Sequence, residues 1–185
     1  CLCASHAGHL VATDVASGTV MWRVALPDRI EAACCVVSSP QDSHMADGGG
    51  RVPVVLVGSH DAQMHAVRLA DGQRLWSRRC AGAVKAAAVR LPPLVFGGDS
   101  KLNAALCVDF GGTISIVDAS SGRTLWEDPA ACDGPVFATP VVDVSRACVF
   151  VADLQGAVQC WSIKPSAISN QQSTGRSGSC LLYTS

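Results

Sequence analysis

The chain has 185 residues, 49% hydrophobic and 16% charged, a balance that fits a packed core and excludes a disordered chain. Its 14 Lys+Arg and 15 Asp+Glu give a formal net charge of −1, with no basic stripe and no aromatic platform for bases, so neither nucleic acid nor an anionic membrane is an expected partner. The longest apolar runs, such as 52–57, are strand-sized and far short of the roughly 18–20 residues of a spanning helix.

The chain opens Cys1-Leu2-Cys3, without Met and without the basic region and long apolar stretch of a signal peptide. A piece of a longer, cytoplasmic protein is the expectation. There are 10 cysteines, and several sit inside apolar runs (Cys34, Cys35, Cys107, Cys148, Cys160), where Cys behaves as a small buried hydrophobe. Reduced thiols are expected rather than a disulfide framework.

The first patterned segment, 10–22, reads LVATDVASGTVMW. Leu10 and Ala12 alternate, a short Ala-Ser-Gly turn follows, and Met21-Trp22 closes a second strand. The period of two predicts a strand with one buried face, and Gly18 predicts a turn position with positive φ. The run 30–37 is then read as the first strand of the next unit and 54–58 as its second, with a polar, Gly-rich surface insertion at 38–51 between them. The hairpin returns at 64–76 as MHAVRLADGQRLW, and a third time at 114–126 as ISIVDASSGRTLW. Before that third copy, 84–89 and 104–110 are again read as first and second strands. After it, 136–142 and 147–152 play those parts, with Gly156 as a turn and Val158 and Cys160 in the apolar register.

The turn glycines Gly18, Gly72 and Gly122 lie 54 and 50 residues apart, and Trp22, Trp76 and Trp126 keep the same two spacings. Self-similarity at about 40–50 residues is the mark of a propeller or solenoid. Four antiparallel strands per repeat make the unit a propeller blade. The fold expected is therefore all-β: an incomplete β-propeller of four-stranded antiparallel blades, about three to four of them. A partial blade runs to about residue 26, full blades span about 30–79 and 84–128, and a partial blade spans about 135–163. The fourth copy would place its Trp near position 170, which is Asn170. Residues 1–163 are thus read as the propeller segment and 164–185 as a disordered or non-native tail.

The repeat resembles the PQQ-like (pyrroloquinoline-quinone-type) repeat, a strand ending near Ala-Leu-Asp, a turn with Thr-Gly-Lys and a strand ending in Trp. Ala66-Val67, Gly72 and Trp76 carry that likeness, as do Val117-Asp118, Gly122 and Trp126. Two phrases, Asp28-Arg29-Ile30-Glu31 and Gly58-Ser59-His60-Asp61 leading into Met64-His65-Ala66-Val67, resemble the C-terminal propeller of the β-alanine-activating enzyme family (acyl-CoA synthetase family member 4, or aminoadipate-semialdehyde dehydrogenase homologue). That resemblance implies a parent with an adenylation domain and a carrier domain, an acid–thiol ligase in which this segment is non-catalytic. Its partners would be other domains of the same polypeptide or a carrier domain.

Candidate sites resolve to scaffold on the pattern alone. Cys34-Cys35 invites comparison with the vicinal disulfide on which some quinoprotein dehydrogenases stack their quinone. In a strand, however, adjacent side chains point to opposite faces, and their Cα atoms lie about 3.8 Å apart, below the usual disulfide range. The histidines are His6, His9, His44, His60 and His65; His6 and His60 are repeat equivalents, which favours a scaffold role over a metal. Trp22, Trp76 and Trp126 are expected to pack between neighbouring blades. Asp109, Asp118, Asp143 and Asp153 sit near strand ends, where Asp serves local backbone hydrogen bonds. No Ser-His-Asp order, phosphate loop or dinucleotide fingerprint is read. The expectation is no catalytic, cofactor-binding or metal-binding residue and no cofactor. The alternatives are a segment of a quinoprotein dehydrogenase using PQQ and Ca²⁺, or a free-standing propeller binding module such as a bacterial outer-membrane assembly lipoprotein.

Overall fold

The structure is a computed structural model and describes residues 1–38, 52–93, 103–129 and 131–163. All of the insertion read at 38–51 except Ser38, His44 included, and the tail from 164 onward with Asn170 lie outside the described residues. Among the described residues there are fourteen strands and no α-helix, in four antiparallel sheets. The first sheet holds β1 (Leu2–Ala4), β2 (His9–Thr13) and β3 (Val20–Ala25). The second holds β4 (Cys35–Val37), β5 (Val54–Gly58), β6 (Gln63–Arg68) and β7 (Arg74–Arg79). The third holds β8 (Val89–Arg90), β9 (Ala104–Val108), β10 (Ile114–Asp118) and β11 (Thr124–Asp128). The fourth holds β12 (Val141–Asp143), β13 (Cys148–Ala152) and β14 (Val158–Ser162). Three, four, four and three strands match the partial, full, full and partial blades expected. The first strands β4 and β8 approach each other, as inner strands of adjacent blades do around a propeller axis.

The repeated hairpin owes its shape to its glycine. Gly18, Gly72 and Gly122 have φ of +71°, +71° and +74°, a backbone region costly for other L-residues. Their N–H groups donate back to Asp14, Arg68 and Asp118 carbonyls at 2.9, 2.9 and 2.7 Å. A register shift follows in each hairpin, at Ala12/Thr13, Ala66/Val67 and Ile116/Val117, so the strand beyond the turn is bulged in the same place.

That turn has a second use. The Trp22 indole N–H donates to the Leu69 carbonyl of the next blade at 2.9 Å, and Trp76 donates to Ala119 at 2.9 Å. A Cβ on Gly72 would lie 2.7 Å from Trp22 Cε3, and one on Gly122 would lie 2.7 Å from Trp76 Cδ2. Each glycine is therefore the bare patch on which the preceding blade's indole rests. A Cβ on Gly18, in the first blade, would meet nothing within 4 Å.

The core sits in the seams between blades. Leu10, Trp22 and Ile30 pack against Val55, Val57 and Val67 in the first seam. Leu56, Met64 and Val84 pack against Ala105, Cys107 and Val117 in the second. Leu106, Ile114 and Leu125 pack against Val149, Val151 and Ile163 in the third. β5 and β9 are buried along their whole length because both faces are covered, whereas β2 and β13 alternate.

One expectation is corrected. The apolar runs at 30–37, 84–89 and 136–142 are not whole strands; only Cys35–Val37, Val89–Arg90 and Val141–Asp143 pair as such. The earlier part of each run is a linker that crosses from one blade to the next. Its N–H groups reach the preceding blade: Ile30 to Ser5 at 3.2 Å, Val84 to Ser59 at 3.0 Å and Val136 to Phe110 at 3.4 Å. Its carbonyls accept from the following blade: Arg29 from His60 at 3.1 Å, Ala83 from Phe110 at 2.7 Å and Pro135 from Leu154 at 2.8 Å. Ile30, Val84 and Val136 are apolar because they are wedged between blades, so a run that reads as a buried strand is a buried linker.

Candidate functional site

The residues singled out by sequence fall into three places. Cys34 lies just before β4 and packs toward the first seam, whereas Cys35 opens β4 and packs toward the second. Both are free thiols. Burial pushes the Cys34 thiol up to about 11, with Cys3 and then Cys35 adding to it; burial also raises Cys35. Two thiols directed into different seams do not form the flat vicinal platform that a stacked quinone needs, so these residues do not fit PQQ.

The aspartates do backbone work. Asp109 Oδ1 accepts the Thr113 N–H at 3.0 Å, and its Oδ2 accepts the linker N–H groups of Ala81 and Gly82 at 2.9 and 3.2 Å. Asp153, at the equivalent turn one blade on, binds the Gln155 and Ala157 N–H groups at 2.9 and 3.0 Å, and its Oδ2 is buried without a partner. Asp118 caps the turn at Ser120. Hydrogen bonds from Ser145 and Arg146 hold Asp143 down to about 2. The four carboxylates serve four separate turns.

The histidines divide. His6 is exposed in its turn and His9 begins β2. His60 Nδ1 accepts from Arg29 Nε at 3.1 Å, and its Nε2 lies 2.8 Å from Glu31 Oε2. Ser59 Oγ joins the same junction, 3.2 Å from both the Asp28 and Arg29 carbonyls. His65 is 2% exposed, with Nδ1 2.9 Å from Ser77 Oγ and Nε2 2.9 Å from Asp61 Oδ2. Asp61, His65 and Ser77 thus form a hydrogen-bonded line that the sequence reading missed. Its signal is a turn Asp four residues before a strand His, whose direct cross-strand partner is Ser77. Among the described residues no group of three or more His, Cys, Asp or Glu is arranged to hold a metal, and none forms a helix long and apolar enough to cross a membrane.

At the equivalent place in the second seam the chemistry changes. Ser115 stands where His65 does, and Glu127 where Ser77 does. Arg78 of β7 crosses the seam to them, donating to Thr124 Oγ1 at 3.0 Å and Ser115 Oγ at 3.2 Å and pairing with Glu127. A cavity of about 110 Å³ lies beside it, lined by Arg78, Cys80, Cys107, Asp109, Thr113 and Ser115 among others. Burial raises both thiols, so neither Cys80 nor Cys107 is a ready thiolate. The Arg78 guanidinium is already engaged on three sides, by Thr124, Ser115 and Glu127, while Arg79 also lines the cavity.

The third place is one end of the molecule, where interblade linkers meet the turns between second and third strands. Linker positions Glu31, Lys85 and Phe137 stand opposite turn positions His60, Phe110 and Leu154. The first pair is ionic. In the second, Lys85 Nζ lies 4.0 Å over the Phe110 ring and 5.5 Å from the Phe137 ring. In the third, Phe137 is 45% and Leu154 64% exposed.

A search of curated proteins returned no match. Among solved structures, BamB from Moraxella catarrhalis is similar at 19% identity and a TM-score of 0.61, over 90% of this chain and 42% of that one. That likeness shows the fold, and the chain spans well under half the length of that relative. A family model described as outer membrane protein assembly factor BamB (PQQ_2) matches residues 1–181. With its Gly-x-x-x-Trp hairpins seated blade on blade, the chain belongs to this PQQ-like repeat propeller family.

Proposed function

We propose that this chain is a non-catalytic propeller segment that binds other protein segments through its linker-and-turn face. The observation that carries the reading is where the reactive groups go. Asp109, Asp118, Asp143, His65 and Arg78 are all engaged in turn or seam hydrogen bonds, while the linker-and-turn face leaves Phe137 and Leu154 exposed. Exposed apolar side chains beside charge on a rigid loop face are how a propeller presents a binding surface.

The finer form of this reading is an accessory domain of an ATP-dependent, carrier-loading acyl-activating enzyme in the cytoplasm, with other domains of that polypeptide or its carrier domain as partners. Two phrases support it, 28–31 and 58–61, and they meet in space: Arg29 and Glu31 both contact His60, and Ser59 contacts Asp28 and Arg29. Extending the transcript upstream tests it. An adenylation domain followed by a carrier domain is expected; an export signal with no such domains would overturn it. That second outcome would favour a free-standing propeller module, a reading to which the family match lends weight.

A further inference from the structure

We propose that Lys85, Phe110, Phe137 and Leu154 form a docking surface for an acidic–apolar peptide segment, one presenting an Asp or Glu carboxylate beside a Leu or Phe side chain. The inference rests on the binding-module reading above and names the partner chemistry of that face. Lys85 Nζ sits 4.0 Å over one aromatic ring and 5.5 Å from another. Ring faces attract an ammonium and fix its position, but they do not neutralise it, and its remaining N–H donors stay available to an acceptor. Among the described residues no carboxylate forms an ion pair with Lys85. Glu31 feels its charge, yet the Glu31 carboxylate is turned to His60 and Arg29.

The apolar half of the surface adjoins this cation. Phe137 and Leu154 are exposed by 45% and 64%, and the Leu154 N–H donates to Pro135, two residues before Phe137, at 2.8 Å. The linker and turn are pinned by the Phe110 N–H to Ala83 at 2.7 Å and the Val136 N–H to Phe110 at 3.4 Å, so little ordering remains to be done on binding. Charge complementarity selects the occupant. A purely apolar patch accepts acidic and basic peptides alike, whereas an unneutralised Lys85 favours a carboxylate and repels a second cation. At the corresponding first junction the Glu31 carboxylate already faces the cation Arg29 and His60, so docking is confined to the second and third. One lysine is too little basic charge to hold an anionic bilayer, for which clusters are needed.

The test is fluorescence anisotropy of the full chain with a labelled peptide of alternating Glu and Leu/Phe residues, beside its Gln and Lys counterparts. The Glu peptide is expected to bind, and the counterparts to bind at least about tenfold more weakly, the scale of one charge-assisted hydrogen bond. Lys85→Gln is expected to lose the same factor, Lys85→Glu to prefer the Lys peptide, and Leu154→Ser, at an exposed position, to weaken binding without unfolding. Equal binding of the three peptides would overturn the proposal, as would affinity unchanged by Lys85→Gln and Leu154→Ser, or binding to phosphatidylserine vesicles in place of peptide. Peptide binding that survives both substitutions leaves the binding-module reading standing and moves its site elsewhere. Failure of every peptide to bind counts against both.

Discussion

The first and second seams are built on one plan and closed by different polar chemistry. In both, an indole from one blade rests on a glycine of the next and donates to a carbonyl three residues before that glycine. In both, a polar group is enclosed where the third and fourth strands pair. In the first seam the group is Asp61–His65–Ser77, which belongs to one blade and never crosses. In the second it is Arg78 of one blade reaching Ser115, Thr124 and Glu127 of the other. The scaffold position demands that buried polar atoms be satisfied, and either an internal or a bridging solution meets that demand. The bridging one uses a long cationic side chain and leaves a cavity of about 110 Å³ beside it. Shape is set by the repeat; the polar contents of each seam are free to vary.

The largest expected effect tests what the seams share. Trp22→Ala and Trp76→Ala should each lower unfolding free energy by about 3–5 kcal/mol in urea titration, the usual range for truncating a buried Trp. Trp22, the more deeply buried, should show the greater loss. If either variant is as stable as the parent, the indole–glycine contact does not hold the blades together.

A sharper comparison uses glycines of equal backbone geometry. Gly18 and Gly72 share φ of +71°, but only Gly72 carries an indole, with Trp22 Cε3 2.7 Å from where a Cβ would stand. Gly18→Ala should therefore cost about 1 kcal/mol, the strain of the left-handed conformation alone. Gly72→Ala should cost that amount plus displacement of the ring, about 1–3 kcal/mol more. Equal losses would show that the glycine is required by the turn and not by the seam.

The smallest effect should separate the two polar groups. His65→Ala empties a buried ring site and takes one of the partners of Asp61, which keeps Gln63, and should cost about 1–3 kcal/mol, with little dependence on salt. Arg78→Met removes a pair whose Glu127 side chain is 41% exposed, so solvent screening reduces the loss to about 1 kcal/mol or less. Its effect should shrink further in high salt. A His65→Ala loss that salt abolishes, or an Arg78→Met loss that salt leaves untouched, would reverse the assignment.

The hairpins were legible because their determinants are local. An alternating strand, a positive-φ glycine at a constant offset and a closing Trp declare themselves within thirteen residues of chain, and β5 and the hairpin strands fall where that pattern puts them. The first strand of each blade was only half legible. Residues 30–34 and 84–88 are as apolar as a strand, but their hydrogen bonds run to two other blades, and no local pattern distinguishes burial in a sheet from burial between sheets. The Asp61–His65–Ser77 line escaped notice because it depends on register: His65 meets Ser77 only once β6 and β7 pair.

The sequence by itself determined the blade: its period, its turn, its indole and the family to which the repeat belongs. Those features reside in short-range backbone preference and side-chain alternation, which a chain carries before it folds. Only the tertiary structure decided what the polar residues do. It sent Cys34 and Cys35 into separate seams, enclosed His65 in one and bridged the other with Arg78, and brought Lys85, Phe110 and Phe137 together from two neighbouring blades. The physical reason is that a side chain's chemistry is set by its neighbours, and in a propeller most of those neighbours lie about one repeat away.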